Sequence, residues 1–560
     1  MLYEELSKER KEQQYIGALP EWFTTLGWQM FKDKYLYQAF SYRGQIIRIA
    51  ETAAQYMPNS TKWSQRFFEI MWNGWLAPST PVLANMGTTR GMPVSCSGSY
   101  VPDSIDGFYT SQHETALLTQ QAFGTSAYLG DIRPRGSKIT GGGKASGILP
   151  VFKDFVQLSQ DVSQGGIRRG AWAGYVSIEH DDFWELAAYV LNEPDDCNIG
   201  WNIHDSFIEK LLANDHEAHK RLQEVMYVKC VTGRGYFFFV DKVNKSRPVR
   251  YEELELFVRA SNLCTEITLP VDEEHTFTCV LSSMNLAKYD EWKDTDAVFW
   301  ATVFLDCVAE DFITKGSKIK GLEKAVRFTY KSRALGLGTL GFHTYLQQND
   351  IALESLEAHF KNMEIYKHLH DESLRASQWL AETQGEPEWC KGYGVANSHR
   401  TAIAPNTSSA LICGSVSQGI EPVYQNVYTQ GSASGDMYRI NPVLLEIMKS
   451  KGVYNKKVLE DIASKQGSVQ HVDWLDEHQK LVFKTAFEID QKTLIRLAST
   501  RQQYICQAQS LNLFFNADED EQYIMEVHKE AFLDPNIKSL YYMRSLAGVQ
   551  TAKECISCSG

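Results

Sequence analysis

The chain can be arranged around the sequence Ser261-Asn262-Leu263-Cys264-Thr265-Glu266. If this segment is extended, Asn262, Cys264 and Glu266 leave the same face. Cys264 then offers a sulfur for nucleophilic or one-electron chemistry, and Glu266 can take up a proton. Asn262 can hold a hydroxyl group as donor and acceptor at once. The alternative is a half-buried strand in which Cys264 packs as a small hydrophobic residue.

Composition limits the classes of function. The chain has 560 residues, of which 43% are hydrophobic, and its formal net charge is −13. It can therefore bury a large core, and its acidity argues against a protein that coats nucleic acid. The charged N-terminal sequence MLYEELSKERKEQQ has no apolar signal-peptide region, and no apolar run of about 18 residues predicts a membrane span. We expect a soluble, cytoplasmic protein without nucleic-acid or membrane partners.

The pattern of hydrophobic residues divides the chain into two regions. Residues 21–76 read as helices, with a heavy aromatic stripe that includes Trp63, Phe67 and Trp75. From about Pro93, short apolar runs alternate with helical patterns, which predicts an α/β fold with much parallel sheet. The predicted strands are 92–101, 236–240, 278–282, 402–403 and 537–543, and the predicted helices are 251–261, 296–313, 355–383 and 519–532.

Two glycine motifs resemble nucleotide-binding loops. Residues 336–341, Gly-Leu-Gly-Thr-Leu-Gly, satisfy G-x-G-x-x-G but follow a basic helical pattern, so we expect close backbone packing there. Residues 141–146, Gly-Gly-Gly-Lys-Ala-Ser, fail the P-loop pattern because alanine follows the lysine. This second loop stays a candidate for contact with some ligand.

Five of the eleven cysteines stand out from the rest. Cys96 and Cys279 lie on predicted strands, Cys264 lies in the central stretch, and Cys555 and Cys558 lie close together near the C-terminus. In a reducing compartment a disulfide is more often catalytic than structural. Separately, the run Pro405-Asn406-Thr407-Ser408-Ser409 offers hydroxyl and backbone N–H groups that suit a phosphate.

The ordered set of motifs resembles the large, catalytic subunit of class I ribonucleotide reductases from about Leu76 onward. It consists of PSTPVLAN (78–85), SCS (95–97), NLCTE (262–266), the Cys279 strand (278–286), PNTSS (405–409), GIEP (419–422), Tyr541-Tyr542 and the Cys555/Cys558 pair. The resemblance implies a ten-stranded α/β barrel. We expect an N-terminal helical region (1–90), a barrel domain (91–547) and a flexible redox-active tail (548–560).

The resemblance also implies a radical mechanism. Cys264 would become a thiyl radical that takes the 3′-hydrogen of a ribonucleoside diphosphate, while Glu266 deprotonates the 3′-hydroxyl that Asn262 holds. Cys96 and Cys279 would supply the reducing electrons and end as a disulfide. Cys555 and Cys558 would then carry electrons to this buried disulfide from thioredoxin or glutaredoxin. Half of a zinc knuckle is the alternative for the tail pair, but a second ligand pair is missing nearby.

The adjacent Tyr541 and Tyr542 resemble the pair that carries an oxidising equivalent from a second subunit. The expected partner is therefore a small (beta) subunit with a metal or tyrosyl radical cofactor, and we expect no metal and no permanent cofactor in this chain. Two alternatives stay open: a cobalamin-dependent class II reductase, and a regulatory paralogue that binds nucleotides without catalysis.

The remaining expectations concern nucleotide binding. By resemblance, substrate contacts fall on Thr80, Ser95, Thr407, Ser408 and Ser409. Asp103 and Arg133 match effector contacts for dNTP or ATP with Mg²⁺, at the interface of an expected homodimer. The sequence before Pro78 is too short for the additional regulatory nucleotide-binding domain of many relatives. The loop 192–197 lacks an expected arginine, so coupling between effector and substrate sites is expected to be altered or weak.

Overall fold

The computed structural model describes residues 3–164, 168–196, 198–432 and 435–545. The tail cysteines Cys555 and Cys558, and the predicted boundary at residue 548, lie outside these residues. Within the described part of the chain, no helix is long and apolar enough to cross a membrane.

The N-terminal region is helical, as its aromatic pattern predicts. Thr24 and Ser41 cap two of its helices, each accepting a hydrogen bond from the backbone N–H three residues later. Trp63 and Phe67 are buried, and Trp63 packs on Trp379 with the ring centroids 5.4 Å apart. The stripe therefore attaches this region to the rest of the fold. The helices are α1 (Tyr3–Tyr15), α2 (Thr25–Lys34), α3 (Tyr42–Ala54) and α4 (Ser60–Trp72).

Fifteen strands occur in the described residues, nine of which form one sheet. They are β1 (Leu76–Pro78), β2 (Cys96–Tyr100), β3 (Gly124–Tyr128), β4 (Ser163–Gln164), β5 (Arg168–Arg169), β6 (Trp172–Ser177), β7 (Asn198–Ile203), β8 (Tyr236–Phe239), β9 (Phe277–Asn285), β10 (Leu335–Leu340), β11 (Val427–Ser432), β12 (Gly435–Ile440), β13 (Leu513–Phe515), β14 (Ser539–Leu540) and β15 (Met543–Ser545).

The main sheet has two parts of opposite direction. Strands β2, β3, β6, β7 and β8 are all parallel, and β14 closes their far edge antiparallel to β8. At the other edge β9 runs antiparallel to β2, and β10 runs parallel to β9. Single bridges at Leu337–Thr401 and Ile403–Gln509 continue the sheet beyond β10. The sheet thus approaches the ten-stranded barrel that was expected, and its parallel strands are buried on both faces.

Helices connect and cover the strands. Helix α14 (Ala297–Gly316) is buried along most of its length, because its sequence is apolar on nearly all sides. The remaining helices are α5 (Thr80–Asn85), α6 (Ile105–Gln120), α7 (Ile148–Asp161), α8 (Phe183–Asn192), α9 (Asp205–Leu212), α10 (His216–Thr232), α11 (Val240–Lys245), α12 (Val249–Glu253), α13 (Tyr289–Trp292), α15 (Glu323–Ser332), α16 (Phe342–Gln348), α17 (Leu356–Gln384), α18 (Thr407–Ile412), α19 (Pro442–Ser450), α20 (Lys456–Ser464), α21 (Glu477–Val482), α22 (Gln491–Gln502) and α23 (Glu521–Leu533), with short 3₁₀ turns at Leu286–Lys288 and Glu388–Cys390.

Three of the four predicted helices occur, as α14, α17 and α23, but the prediction of a helix over 251–261 is wrong. Helix α12 ends at Glu253, and Glu255 adopts a positive φ of 53°, which a continuing right-handed helix does not allow. The predicted last strand is also interrupted. Tyr541 and Tyr542 direct their backbone N–H groups to Leu511 O and to the Asn512 side chain instead of to a neighbouring ladder.

Candidate functional site

The central stretch is a turn, so the prediction of an extended segment is wrong. The Thr265 N–H donates to Asn262 O over 3.3 Å, and Thr265 has a positive φ of 69°. Tyr175 on β6 lies beneath this turn and donates its phenol hydrogen to Asn262 O over 2.6 Å. The turn aims its side chains inward, because Asn262 and Glu266 are both almost completely buried.

Cys96 and Cys279 face each other across the junction of the two parts of the sheet. They are register partners in the antiparallel ladder between β2 and β9, and both are buried. Residues directly opposite in such a ladder have Cα atoms about 4.5–5.5 Å apart, which is within the range that a disulfide spans. The Asn262 amide donates to Cys96 Sγ over 3.2 Å, so the turn and this pair share one site.

Glu266 is a buried carboxyl group with few partners. Burial raises its pKa to about 7, against the opposing effect of hydrogen bonds from its own backbone, from Asn262 and from Ser510. The Ser510 hydroxyl lies 3.1 Å from Glu266 Oε2 and 2.5 Å from Cys264 O. A carboxyl group with such a pKa can both accept and donate a proton near neutral pH.

The two adjacent tyrosines reach this site from the end of the sheet. Tyr541 is fully buried, and its phenol oxygen donates to Cys264 Sγ over 3.5 Å. The ring centroids of Tyr541 and Tyr542 are 4.1 Å apart. The three side chains therefore form a continuous row from Tyr542 to the sulfur.

Polar groups hold the tyrosine pair in place. The Tyr236 hydroxyl lies 3.1 Å from the Tyr542 hydroxyl and donates to Asn198 Oδ1 over 2.8 Å. Lys229, also buried, donates to Tyr541 O over 2.7 Å and to Gly235 O over 2.6 Å. Burial lowers the Lys229 pKa to about 7.

The expected phosphate-binding residues lie on two elements. Thr407, Ser408 and Ser409 form the first turn of α18, which Asn406 precedes with a left-handed φ of 60°. Thr407 and Ser408 line a cleft of about 630 Å³ between α2, α18 and the β11–β12 hairpin. Thr80 begins α5, where its hydroxyl lies 3.2 Å from Tyr35 Oη, and Ser95 is buried beside Cys96.

The expected effector residues form an ion pair. Arg133 Nε lies 2.5 Å from Asp103 Oδ2, and both side chains are partly exposed. In the loop 192–197, Asp196 accepts a hydrogen bond from Gln160 over 3.1 Å, while Cys197 lies outside the described residues.

The glycine motif at 336–341 packs tightly, as expected, but it does so within a strand, β10. A Cβ atom added to Gly338 would lie 2.4 Å from Ala402 O, and one added to Gly336 would lie 3.0 Å from Cys279 Sγ. The first glycine therefore adjoins the site, a placement that its motif did not indicate.

Several residues of the site were missed from the sequence: Tyr175, Lys229, Gln507 and Ser510. Each is far in sequence from the residue that it contacts, and none belongs to a motif with a chemical meaning. The contacted residues are Asn262, Tyr541, Cys279 and Cys264, in the same order. A weak signal was available for the last two, since the run Cys506-Gln507-Ala508-Gln509-Ser510 places polar residues between apolar ones.

Sequence profiles of one family match nearly the whole chain. The profile described as "Ribonucleotide reductase, all-alpha domain" matches residues 21–91. The profile described as "Ribonucleotide reductase, barrel domain" matches residues 94–219, 213–393 and 387–543.

Individual relatives agree with these profiles. A protein of Frog virus 3 (isolate Goorha) is 32% identical over 542 residues, which cover 91% of this chain and 94% of the relative. The ribonucleoside-diphosphate reductase large subunit of Invertebrate iridescent virus 3 is 30% identical, and the alignment covers 96% of this chain and 98% of the relative. Among solved structures, the class Id ribonucleotide reductase alpha subunit of Actinobacillus ureae has a TM-score of 0.86 at 37% identity, covering 94% of this chain and 98% of that one. The chain therefore belongs to the large-subunit family of the ribonucleotide reductases.

Proposed function

We propose that this chain is the catalytic subunit of a ribonucleoside-diphosphate reductase, which replaces the 2′-hydroxyl of a ribonucleotide by hydrogen. The observation that carries the proposal is the position of Cys264. Its sulfur contacts Tyr541, and its turn also carries the buried amide and carboxyl groups that face the Cys96–Cys279 pair. A site for radical initiation, a proton-transfer group and a reducing dithiol therefore lie together.

The reaction begins at Cys264. Oxidation of Tyr541 through Tyr542 allows the phenol to take the hydrogen atom of the Cys264 thiol, which is the group that it contacts. The thiyl radical then abstracts the 3′-hydrogen of the substrate. Glu266, with a pKa of about 7, accepts the 3′-hydroxyl proton, and the Asn262 amide helps to hold that hydroxyl.

Reduction uses the opposed thiols. As the 2′-hydroxyl leaves as water, Cys96 and Cys279 give up two electrons and two protons and form one disulfide bond. Their places in one antiparallel ladder support this role, because little backbone movement is needed to join them. Thr80, Ser95, Thr407, Ser408 and Ser409 are proposed to bind the substrate, the last three through its phosphates.

The remaining roles extend this proposal to partners. A separate radical-generating small subunit would dock near Tyr542, and thioredoxin or glutaredoxin would restore the thiols through Cys555 and Cys558. Asp103 and Arg133 would bind a nucleotide effector with Mg²⁺ at a homodimer interface. The proposed division is a helical region to residue 90, a barrel to 547 and a tail, in a cytoplasmic enzyme.

An external radical source fits the site better than cobalamin chemistry. One relative, from Thermoplasma acidophilum, is named a vitamin B12-dependent ribonucleoside-diphosphate reductase and is 28% identical. The row from Tyr542 through Tyr541 to Cys264 supports class I, since a radical made beside Cys264 needs no such path. The intact cysteines, Asn262 and Glu266 argue against a regulatory paralogue that has lost catalysis.

The Cys264→Ser variant tests the proposal. With the partner subunit and a substrate tritiated at the 3′ position, it is expected to release no tritium and form no product. Its nucleotide affinity stays near that of the wild type, because serine retains the size of the side chain. Cys390→Ser, at a buried thiol on a 3₁₀ turn, is the matched control and retains activity. Tritium release by Cys264→Ser would refute the assignment.

A further inference from the structure

Gln507 is a buried amide whose orientation is fixed by three hydrogen bonds. Its Oε1 accepts from the Thr268 N–H over 3.0 Å, while its Nε2 donates to Leu335 O over 2.9 Å and to Cys279 Sγ over 3.4 Å. Exchanging the two amide atoms would oppose donor to donor at Thr268 and acceptor to acceptor at Leu335. The amide N–H is therefore held against the sulfur.

The sulfur of Cys279 also lies close to strand β10. A Cβ atom at Gly336 would lie only 3.0 Å from it, so the backbone of β10 closes that side. Cys279 itself is completely buried. Gln507 and Gly336 thus both adjoin a sulfur whose residue has Cys96, on the neighbouring strand β2, as its register partner.

Each sulfur of the pair contacts one side-chain amide. Asn262 donates to Cys96 over 3.2 Å, and Gln507 donates to Cys279 over 3.4 Å. Burial raises the pKa of Cys279, and the Gln507 hydrogen bond opposes that rise. An N–H group directed at sulfur favours its anionic form, which is the form that reacts when a disulfide is made.

We propose that Gln507 is a positioning residue for the reducing thiol: it directs Cys279 toward Cys96 and stabilises the negative charge that develops on this sulfur as the disulfide forms. This inference rests on the proposed function. In the step concerned, two S–H bonds and the C2′–O bond break, and one S–S bond and one C2′–H bond form. One proton leaves with the hydroxyl as water, and the other proton with two electrons becomes the new hydrogen at C2′.

Single turnover of pre-reduced enzyme with its partner subunit tests the inference. Gln507→Leu keeps the approximate volume and removes the donor. Hydrogen abstraction, followed as tritium release, precedes thiol oxidation and is expected to persist. Product and the Cys96–Cys279 disulfide, counted by differential alkylation and mass spectrometry, are expected to form about tenfold more slowly, as for loss of one hydrogen bond to a charged group. Gln503→Leu, at an exposed glutamine on the same segment, is the control.

Gln507→Glu supplies a second readout, the pH dependence of disulfide formation, which would not change if Gln507 had only a structural role. Its carboxyl group can still accept from Thr268, but it donates only when protonated. The rate of disulfide formation in Gln507→Glu, divided by the wild-type rate, is therefore expected to rise as the pH is lowered. Wild-type rates of disulfide formation in Gln507→Leu, or a pH-independent ratio for Gln507→Glu, would overturn the inference. If the wild type itself forms no product, the proposed function fails instead.

Discussion

The phenol oxygen of Tyr541 lies 3.5 Å from the sulfur of Cys264, although 277 positions separate the two residues. The contact arises because Tyr541 follows β14, whose pairing with β8 brings the end of the chain beside the central turn. In the proposed mechanism, radical transfer and substrate chemistry therefore meet at this pair of atoms.

Tyr541→Phe is expected to abolish turnover without altering the fold. Phenylalanine keeps the packing on Tyr542 and Tyr236 but has no oxidisable phenol. The measurement is deoxyribonucleotide formation with the partner subunit, alongside substrate affinity and thermal unfolding. Tyr289→Phe, which removes a buried phenol that lies 3.4 Å from His368, is the control and retains activity. Full activity of Tyr541→Phe would remove the proposed radical path.

Glu266→Gln is expected to change the pH dependence of stability as well as activity. The folded pKa of about 7 exceeds the unfolded value of about 4.3, so the folded state binds more protons between them, and wild-type stability falls as the pH rises through this window. The variant lacks this fall. The free energy of unfolding of Glu266→Gln, relative to that of the wild type, is therefore expected to grow by about 3 kcal/mol from about pH 4 to about pH 8.

Denaturant unfolding of both proteins across that range measures the Glu266→Gln difference, and Glu382→Gln, at an exposed position of α17, is the control. The variant is also expected to be inactive, because an amide cannot accept the 3′-hydroxyl proton. A stability difference that stays constant with pH would contradict the assigned protonation.

Lys229→Met is expected to flatten the rise of stability at high pH. The folded pKa of about 7 lies below the unfolded value of about 10.4, so the unfolded state binds more protons, and stability increases with pH between these values. Methionine has no proton to release. Unfolding between about pH 7 and about pH 9 measures the slope, with Lys220→Met on the exposed side of α10 as control. Parallel slopes for wild type and Lys229→Met would refute the shifted amine.

The Cys555→Ser/Cys558→Ser double variant is expected to complete about one turnover per chain with thioredoxin and then stop. Cys96 and Cys279 can reduce one substrate, but their disulfide is buried from a protein reductant. Product per chain is measured with thioredoxin and, as a control, with dithiothreitol, which is small enough to bypass the tail. Sustained turnover with thioredoxin would exclude the shuttle.

Arg133→Gln is expected to weaken dATP and dTTP binding at least about tenfold, since an amide cannot replace a charge-assisted contact between guanidinium and phosphate. Calorimetry measures the affinity, and Arg135→Gln, at a neighbouring guanidinium paired with Glu185, is the control. Substrate preference with each effector is expected to change little, because the loop 192–197 departs from the family pattern. An effector-driven switch of substrate would contradict this last expectation.

Much of the architecture follows from periodicity, which is why the helices α14, α17 and α23 could be predicted to within a few residues. The errors lie where the φ angle of a single residue determines whether a helix or an extended segment continues. Thr265 and Glu255 adopt positive φ values at positions where the sequence has no glycine. An extended segment was therefore considered where the chain turns, and the end of a helix was missed.

The site was predictable where chemistry sits in short motifs, and not where it depends on tertiary contact. Gln507 and Ser510 act on Cys279 and Glu266 from more than 200 positions away. Local pattern carries no information about such pairs. Lys229 is similar, because an isolated lysine in a helical pattern predicts a solvated side chain, whereas packing of the chain end buries it against Tyr541 O.

The place of the Cys96–Cys279 pair has a mechanical consequence. The ladder between β2 and β9 consists of three register pairs, and it joins the two parts of the main sheet. Oxidation of the two thiols to a disulfide would cross-link the two parts of the sheet and close a loop of more than about 100 residues. By the chain-entropy model, such a cross-link stabilises the fold by about 5 kcal/mol. If this pair is the reducing dithiol proposed above, each catalytic cycle forms and breaks the cross-link between the two parts of the sheet. The melting temperature of the subunit then reports the fraction of molecules in which the pair is oxidised.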